Sequence, residues 1–343
     1  MGRVIARDLS ATEDVLVADT DPVALAKLEG IRKFKGNYME MPGLEKADLV
    51  VAALPSEVGH DAVKFALGMG RNVVDISFTD YDPFEFDDMA REHGCLYIPH
   101  AGFAPGLSNI IAGKLYYGHG SRDMEILVAG LQEKPMPPMG YIPTFNASSV
   151  IDEYTRPARY IVNGSIREAM PLETIEPMEL EGFGKLESFY SDGLSTILST
   201  FREGSIVEKT LRHPGHMEKM KFLHDMGYFS SEKIGNSSAR EISDELFRRT
   251  VRDVPDVSIL RVTPKDGKGP EYSIIDRFDS RNRVSSMGRM TGFSAAAMAK
   301  AVLESKIHGR GTFPAEWIGK DGTSFSFVME YLKERSIDIR VKG

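Results

Sequence analysis

Asp19 closes the apolar run VLVAD (15–19), and a carboxylate at the end of a buried strand has two uses. It can cap the helix that follows, or it can accept hydrogen bonds from ligand hydroxyls lying across the strand ends. Asp21, in DTDP, is the better spaced of the two to cap a helix opened by Pro22, which leaves Asp19 for a ligand. Gly2 lies seventeen residues ahead of Asp19, close to the interval between the third glycine of a G-x-G-x-x-G loop and the acid that holds an adenosine ribose. Such an acid repels an extra ribose phosphate, and no arginine follows it directly, so the pattern points to NAD rather than NADP. Further strand ends carry Leu54 and Pro55, then Ser77 and Phe78, then His100, with the stiff turn of Gly102, Pro105 and Gly106 just beyond. All of these are candidates to line a cofactor.

These residues need a scaffold that gathers strand ends. Apolar runs at 47–55, 72–77 and 95–100 alternate with helical stretches at 22–29, 60–70 and 84–94. Strands apolar on both faces, separated by helices of about 10 residues, imply a parallel sheet covered on both sides. The expected fold class is therefore α/β, with a doubly wound parallel sheet of the Rossmann type spanning residues 1–120. The chain opens on a helix instead of the strand and glycine loop that normally precede it. The sheet is accordingly expected to be N-terminally truncated, by about 10 residues. The basic run RKFKG (32–36) reads as a solvated turn.

Composition narrows the class. The chain has 343 residues, 42% hydrophobic and 27% charged, enough for two ordinary cores. A net charge of -8 argues against a nucleic-acid partner. No apolar run is long enough to span a bilayer, so no membrane partner is expected. Cys95 is the only cysteine, which excludes an internal disulfide and a cysteine-bound zinc and fits a reducing cytoplasm.

From residue 121 the pattern changes to shorter strands with turn signals, at 205–213, 257–264 and 271–279, plus a hairpin centred on Asn163-Gly164. Residues 121–286 read as a second, mixed α+β domain for substrate binding and for forming a homodimer. The small-residue helix TGFSAAAMAKAVLESKI (291–307) and the tail, together 287–343, are expected to return to the first domain.

Four motifs in order, AGFAPGLSN (101–109), SSVIDEYTRPARYIVNG (148–164), FYSDGLSTIL (189–198) and TLRHPGHMEKM (210–220), resemble the saccharopine dehydrogenase-like family, most of all its lysine 6-dehydrogenases. The likeness runs from Gly2 to about Ile318. His100 departs from it, since many relatives carry an acid there.

The resemblance implies oxidation of the L-lysine side-chain amine to the semialdehyde with NAD, on a small amino-acid substrate. Sister reactions of the saccharopine reductase or carboxynorspermidine dehydrogenase type, or a scaffold whose cofactor site is deficient, are the alternatives. For the implied reaction, a substrate carboxylate calls for an arginine, Arg156 or Arg212. Asp75, Asp152 or Glu153 could take the ammonium. His100, His213 and His216 could carry a proton near neutrality. His216 and Asn109 are also placed with the substrate. Each has a structural alternative: Asp75 as a buried core carboxylate, Asp152 as a helix cap, the arginines as internal ion pairs. HPGH (213–216) lacks further ligands for a metal site.

Overall fold

Helix and strand starts in the first half of the chain follow from local chemistry. Asp21 accepts a hydrogen bond from the Val23 amide and Pro22 sets the first turn, so a helix opens there and runs Pro22–Ala26. The computed structural model describes the chain except for Phe78, Thr79, Asp80, Phe145 and Asp253, and only the backbone of Ser56, Glu57 and Ala147. The chain divides into two units. One comprises Met1–His119 with Gly288–Ile337; the other comprises Gly120–Met287 with Asp338–Gly343.

The first unit holds two parallel sheets. Leu16–Asp19 pairs with Arg32–Lys35. Leu49–Ala52, Asn72–Asp75, Leu96–Ile98 and Gly311–Thr312 pair in that order, all parallel. Arg32–Lys35 corrects the reading of RKFKG as a turn. Only Phe34 is partly buried, so the run lacks the apolar signature of an inner strand, and exposed basic side chains are a usual way to protect a sheet edge. Helix Gly2–Leu9 buries Ile5, Ala6 and Leu9, and Ala6 packs with Leu25, Leu28 and Ile31 over Val15 and Val17. On its polar side, Asp8 accepts hydrogen bonds from Tyr331 (2.5 Å) and Arg335 (2.7 Å).

The small residues of Ser286–Leu303 serve close packing. A Cβ on Gly292 would lie 2.8 Å from the Cβ of Val4. Tighter still is the crossing of Leu107–Gly113 with the short helix Glu316–Lys320. A Cβ on Gly113 would sit 2.0 Å from the Glu316 carbonyl oxygen, and one on Gly319 2.1 Å from that of Ile110.

The second unit is built on a nine-stranded mixed sheet. Its main path runs Ile339–Lys342, Glu271–Arg277, Asp256–Pro264, Asp123–Gln132, Ser205–Arg212, Gly184–Tyr190, Glu176–Leu180. Only Asp123–Gln132 with Ser205–Arg212 is parallel along this path. The hairpin of Ala158–Val162 and Ser165–Ala169 turns at Asn163 (φ 49°) and Gly164 (φ 74°), both left-handed as a two-residue turn of this kind requires. Helices Ala147–Thr155, His216–Asp225 and Ala239–Thr250 place Val150, Ile151, Met217, Met220 and Phe247 in one core with Leu127, Ala129, Val257 and Ile259. The tail departs from the sequence reading. Residues 338–343 belong to this unit, because Ile339–Lys342 pairs with Glu271–Ile274, whose backbone would otherwise form a bare sheet edge.

The glycine crossing sets a first prediction. Gly113→Ala forces overpacking against backbone that cannot rotate away, and should lower stability by roughly 1–3 kcal/mol. Denaturant unfolding followed by far-UV circular dichroism checks it; an unchanged midpoint would show that the crossing yields.

Candidate functional site

In the first unit the sequence-predicted cofactor residues lie at strand ends. A Cβ on Gly2 would be 3.4 Å from that of Ala53, so the start of helix Gly2–Leu9 is seated just past the strand Leu49–Ala52, next to Leu54 and Pro55. Pro55 in turn caps helix Ser56–Gly68. Ser77 donates its hydroxyl to the Leu54 carbonyl (3.1 Å) and so ties two strand ends together. Asp19 is half-buried at the end of its own strand, with Oδ1 accepting from the Asp21 amide (2.9 Å). Phe78 lies outside the described residues.

Asp75 is fully buried. Its Oδ1 accepts from the Ser77 amide (2.8 Å), and its Oδ2 lies 3.4 Å from both the Tyr81 and Tyr97 hydroxyls. Burial pushes its carboxyl up to about 6, against the pull of those donors. Its backbone carbonyl accepts from the Ala101 amide (2.6 Å), which anchors the loop that follows. His100 is buried with φ 50°, a left-handed conformation uncommon for a side chain of its size. In that loop the Gly102 carbonyl accepts from the Leu107 amide, and a Cβ on Gly106 (φ 128°) would sit 2.2 Å from the same oxygen. Asn109, placed with the substrate by sequence, shapes the loop. Its Oδ1 accepts from the Gly106 amide and the Ser108 hydroxyl, and its amide reaches buried Glu316 at 3.4 Å.

The second unit contains a buried polar network around Arg212, which is 1% exposed. Arg212 donates through Nη2 to Glu153 (2.5 Å), through Nε to the Tyr154 hydroxyl (3.1 Å) and through Nη1 to the Leu211 carbonyl (3.0 Å). The Tyr141 ring stacks under its guanidinium at 4.4 Å. His216 Nδ1 lies 3.1 Å from the Met139 carbonyl, which can only accept, so the proton sits on Nδ1. Nε2 then accepts from the Tyr154 hydroxyl at 2.9 Å. Burial, with the nearby Arg212 charge, lowers His216 to about 3 and keeps it neutral. Burial alone would lower Arg212, but Glu153 and the two tyrosines outweigh it and hold the guanidinium charged.

Arg212 and His216, placed with the substrate by sequence, are therefore engaged with one another's partners inside the unit. Asp152, proposed as catalytic, pairs with Arg240 at 2.9 Å. His213 donates to the Gln132 carbonyl. Arg156 ends helix Ala147–Thr155, half-buried, its guanidinium lowered by burial and raised by the charge of Asp192.

Glu208 escaped the sequence reading. It is 3% exposed; Ser191 donates to its Oε1 (3.0 Å), and its Oε2 has no partner among the described residues. Gly193 leaves the room it occupies, since a Cβ there would lie 1.8 Å from Oε1. Burial, reinforced by Glu153 and Asp192, raises this carboxyl to about 8. The signal was present in SIVEKTLR (205–212), where Glu208, Thr210 and Arg212 alternate and so share one side of the strand. Glu153 binds both Thr210 (3.1 Å) and Arg212 there.

Residues 102–337 match the model of the saccharopine dehydrogenase C-terminal domain family. The chain belongs to that family. Apo saccharopine dehydrogenase (L-Glu forming) from Saccharomyces cerevisiae shares its fold, with a TM-score of 0.75 at 18% identity, over 100% of this chain and 98% of that one. The homospermidine synthase of Legionella pneumophila, solved in complex with NAD, gives 0.68 at 11% identity, over 99% of this chain and 88% of that one. Within the family's matched span lie the loop at 102–109 and the whole Arg212 network.

Glu208 makes the stability of the second unit pH-dependent with a definite sign. Its carboxyl titrates near 4.5 when unfolded and about 8 when folded, so between those values the native state holds the extra proton. That contribution is complete below pH 4.5 and is lost as pH rises through about 8. Glu208→Gln should remove the decline. Denaturation midpoints of both proteins across this window check it; parallel curves would show that Glu208 titrates normally.

Proposed function

We propose that the protein is an NAD-dependent oxidoreductase that removes the side-chain amine of L-lysine oxidatively and leaves the semialdehyde. The observation that carries this reading is Asp19, half-exposed at its strand end, in a unit where helix Gly2–Leu9 starts against Ala53 at the end of another strand. That is the arrangement a dinucleotide uses for its ribose and pyrophosphate. Membership of the saccharopine dehydrogenase C-terminal domain family supports the amino-acid chemistry.

The nicotinamide, when bound, supplies the hydride acceptor. The chain's own residues bind and orient. Asp19 accepts ribose hydroxyls and disfavours a phosphorylated ribose. Gly2, Leu54, Pro55, Ser77 and Gly102 present small or apolar surface and backbone groups at strand ends. Arg156 is the arginine for the substrate carboxylate, since Arg212 already carries Glu153. Asp152 is held by Arg240, and the Asp75 carboxyl by the Ser77 amide and two tyrosine hydroxyls, so we assign to His100 the role of taking a proton from the substrate ammonium.

A second reading, an enzyme that joins an amino acid to an aldehyde or keto acid, is supported by the fold shared with saccharopine dehydrogenase over 98% of that chain. The two separate in one assay. Full-length protein given L-lysine and NAD, with no keto acid, should form reduced nicotinamide and the semialdehyde. Asp19→Ala should weaken NAD binding about 10- to 100-fold, and His100→Asn, which keeps the backbone conformation accessible, should lower kcat about 100-fold or more. Turnover only when a keto acid or aldehyde is added would favour the second reading; no turnover with either would favour a scaffold.

A further inference from the structure

The proposed reaction leaves Asp75 without a task, although it is fully buried at the end of strand Asn72–Asp75. The neighbouring strand Leu49–Ala52 brings no titratable side chain to it. Strand Leu96–Ile98, on the other side, brings Tyr97, and Tyr81 comes from further along the chain. The two tyrosine hydroxyls lie 3.2 Å apart and each is 3.4 Å from Asp75 Oδ2. When Asp75 is neutral, these oxygens can donate to one another around a closed ring; when it is ionised, both tyrosines donate to Oδ2. Behind Tyr81, on helix Ser56–Gly68, His60 meets its ring edge-on at 4.7 Å and is engaged with Glu85 (2.5 Å), with Asp61 3.6 Å away. His100 precedes the Ala101 amide that donates to the Asp75 carbonyl.

Among the described residues no cation pairs with Asp75. A buried carboxylate is ordinarily paired, and without a cation burial moves its titration up to about 6 from the ordinary 3.8. At neutral pH the strand end therefore carries an anion for which the described residues provide no counter-charge. Its place is directly beneath the turn: Oδ1 accepts from the Ser77 amide (2.8 Å), and the Ser77 hydroxyl is tied to the Leu54 carbonyl.

We propose that Asp75 is the counter-charge for the positively charged ring of oxidised NAD, so that the protein prefers the oxidised dinucleotide to the reduced one. This deepens the NAD reading above and rests on it. A dinucleotide that runs from Asp19 past Gly2 brings its nicotinamide half to the strand ends beyond, those of Leu49–Ala52 and Asn72–Asp75. Asp75 has no exposed surface and touches neither ring nor substrate. It acts through its field, which is weakly screened in an apolar layer. Oxidised NAD and NADH carry the same pyrophosphate and differ by one positive charge on the ring, so the pair isolates this effect. Titration without an amine leaves out the other available cation, the substrate ammonium.

Calorimetric titration of the full chain with oxidised NAD and with NADH, from about pH 5 to about pH 8, provides the test. A cation favours the ionised carboxyl, so affinity for oxidised NAD should be complete above about pH 7 and fall about 5-fold by about pH 5, while that for NADH stays level. Near pH 6, binding of oxidised NAD should release protons to the buffer and binding of NADH should not. Asp75→Asn, which keeps the shape and the acceptor for the Ser77 amide, should weaken oxidised NAD about 10-fold at neutral pH, leave NADH within about 2-fold, and abolish the pH dependence. A residue that only shaped the turn would weaken both forms alike. The same pH response for both forms in the wild-type protein, which needs no variant to fold, would overturn the proposal. So would an Asp75→Asn protein that loses both forms equally or neither. Binding of neither form by the wild-type protein would overturn the NAD reading itself, and this proposal with it.

Discussion

A guanidinium almost without access to water organises the second unit. Removing a charge from water costs several kcal/mol, which the protein offsets only if counter-charge and hydrogen-bond acceptors are already in place. Arg212 has them. Glu153 neutralises it, Tyr154 and the Leu211 carbonyl accept its remaining contacts, and Tyr141 covers its face. These partners come from three elements: Glu153 and Tyr154 from one helix, Leu211 from the strand itself, and Tyr141 from the loop before the helix. The helix Ala147–Thr155 cannot slide along the sheet by one residue without leaving Arg212 unpaired. The directional chain from Arg212 through Tyr154 and His216 to the Met139 carbonyl extends the same constraint to helix His216–Asp225.

The first unit relies more on close approach. Gly292 at the Val4 side chain, and Gly113 with Gly319, bring elements together where a single methyl would intrude. Asp75 stands in an apolar layer with the Ser77 amide and two tyrosine hydroxyls as its donors, and its backbone carbonyl anchors the loop that runs to Gly102 and Gly106.

The parallel strands, the Asp21 cap and the Asn163-Gly164 hairpin were legible in the sequence because each is a local or short-period signal. The Arg32–Lys35 strand was not, because an edge strand with one half-buried side chain carries no apolar period. Strand-end residues such as Ser77, Leu54 and Asp19 could be placed from alternation alone. Partnerships could not. That Glu153 meets Arg212, that Arg240 takes Asp152, and that Glu208 is buried over Gly193 depend on contacts between residues distant in the chain. Sequence types left Arg212 open between a substrate carboxylate and an internal ion pair, and Asp152 between chemistry and a helix cap; in the fold both make ion pairs.

The organising role of Arg212 is tested most directly by a double-mutant cycle on Arg212 and Glu153, read as unfolding free energy. Glu153→Gln alone should cost about 3–5 kcal/mol, because it strands a buried charge, whereas adding Arg212→Met to the same chain should recover a large part of that loss. Additive losses, or a Glu153→Gln protein as stable as the parent, would contradict it.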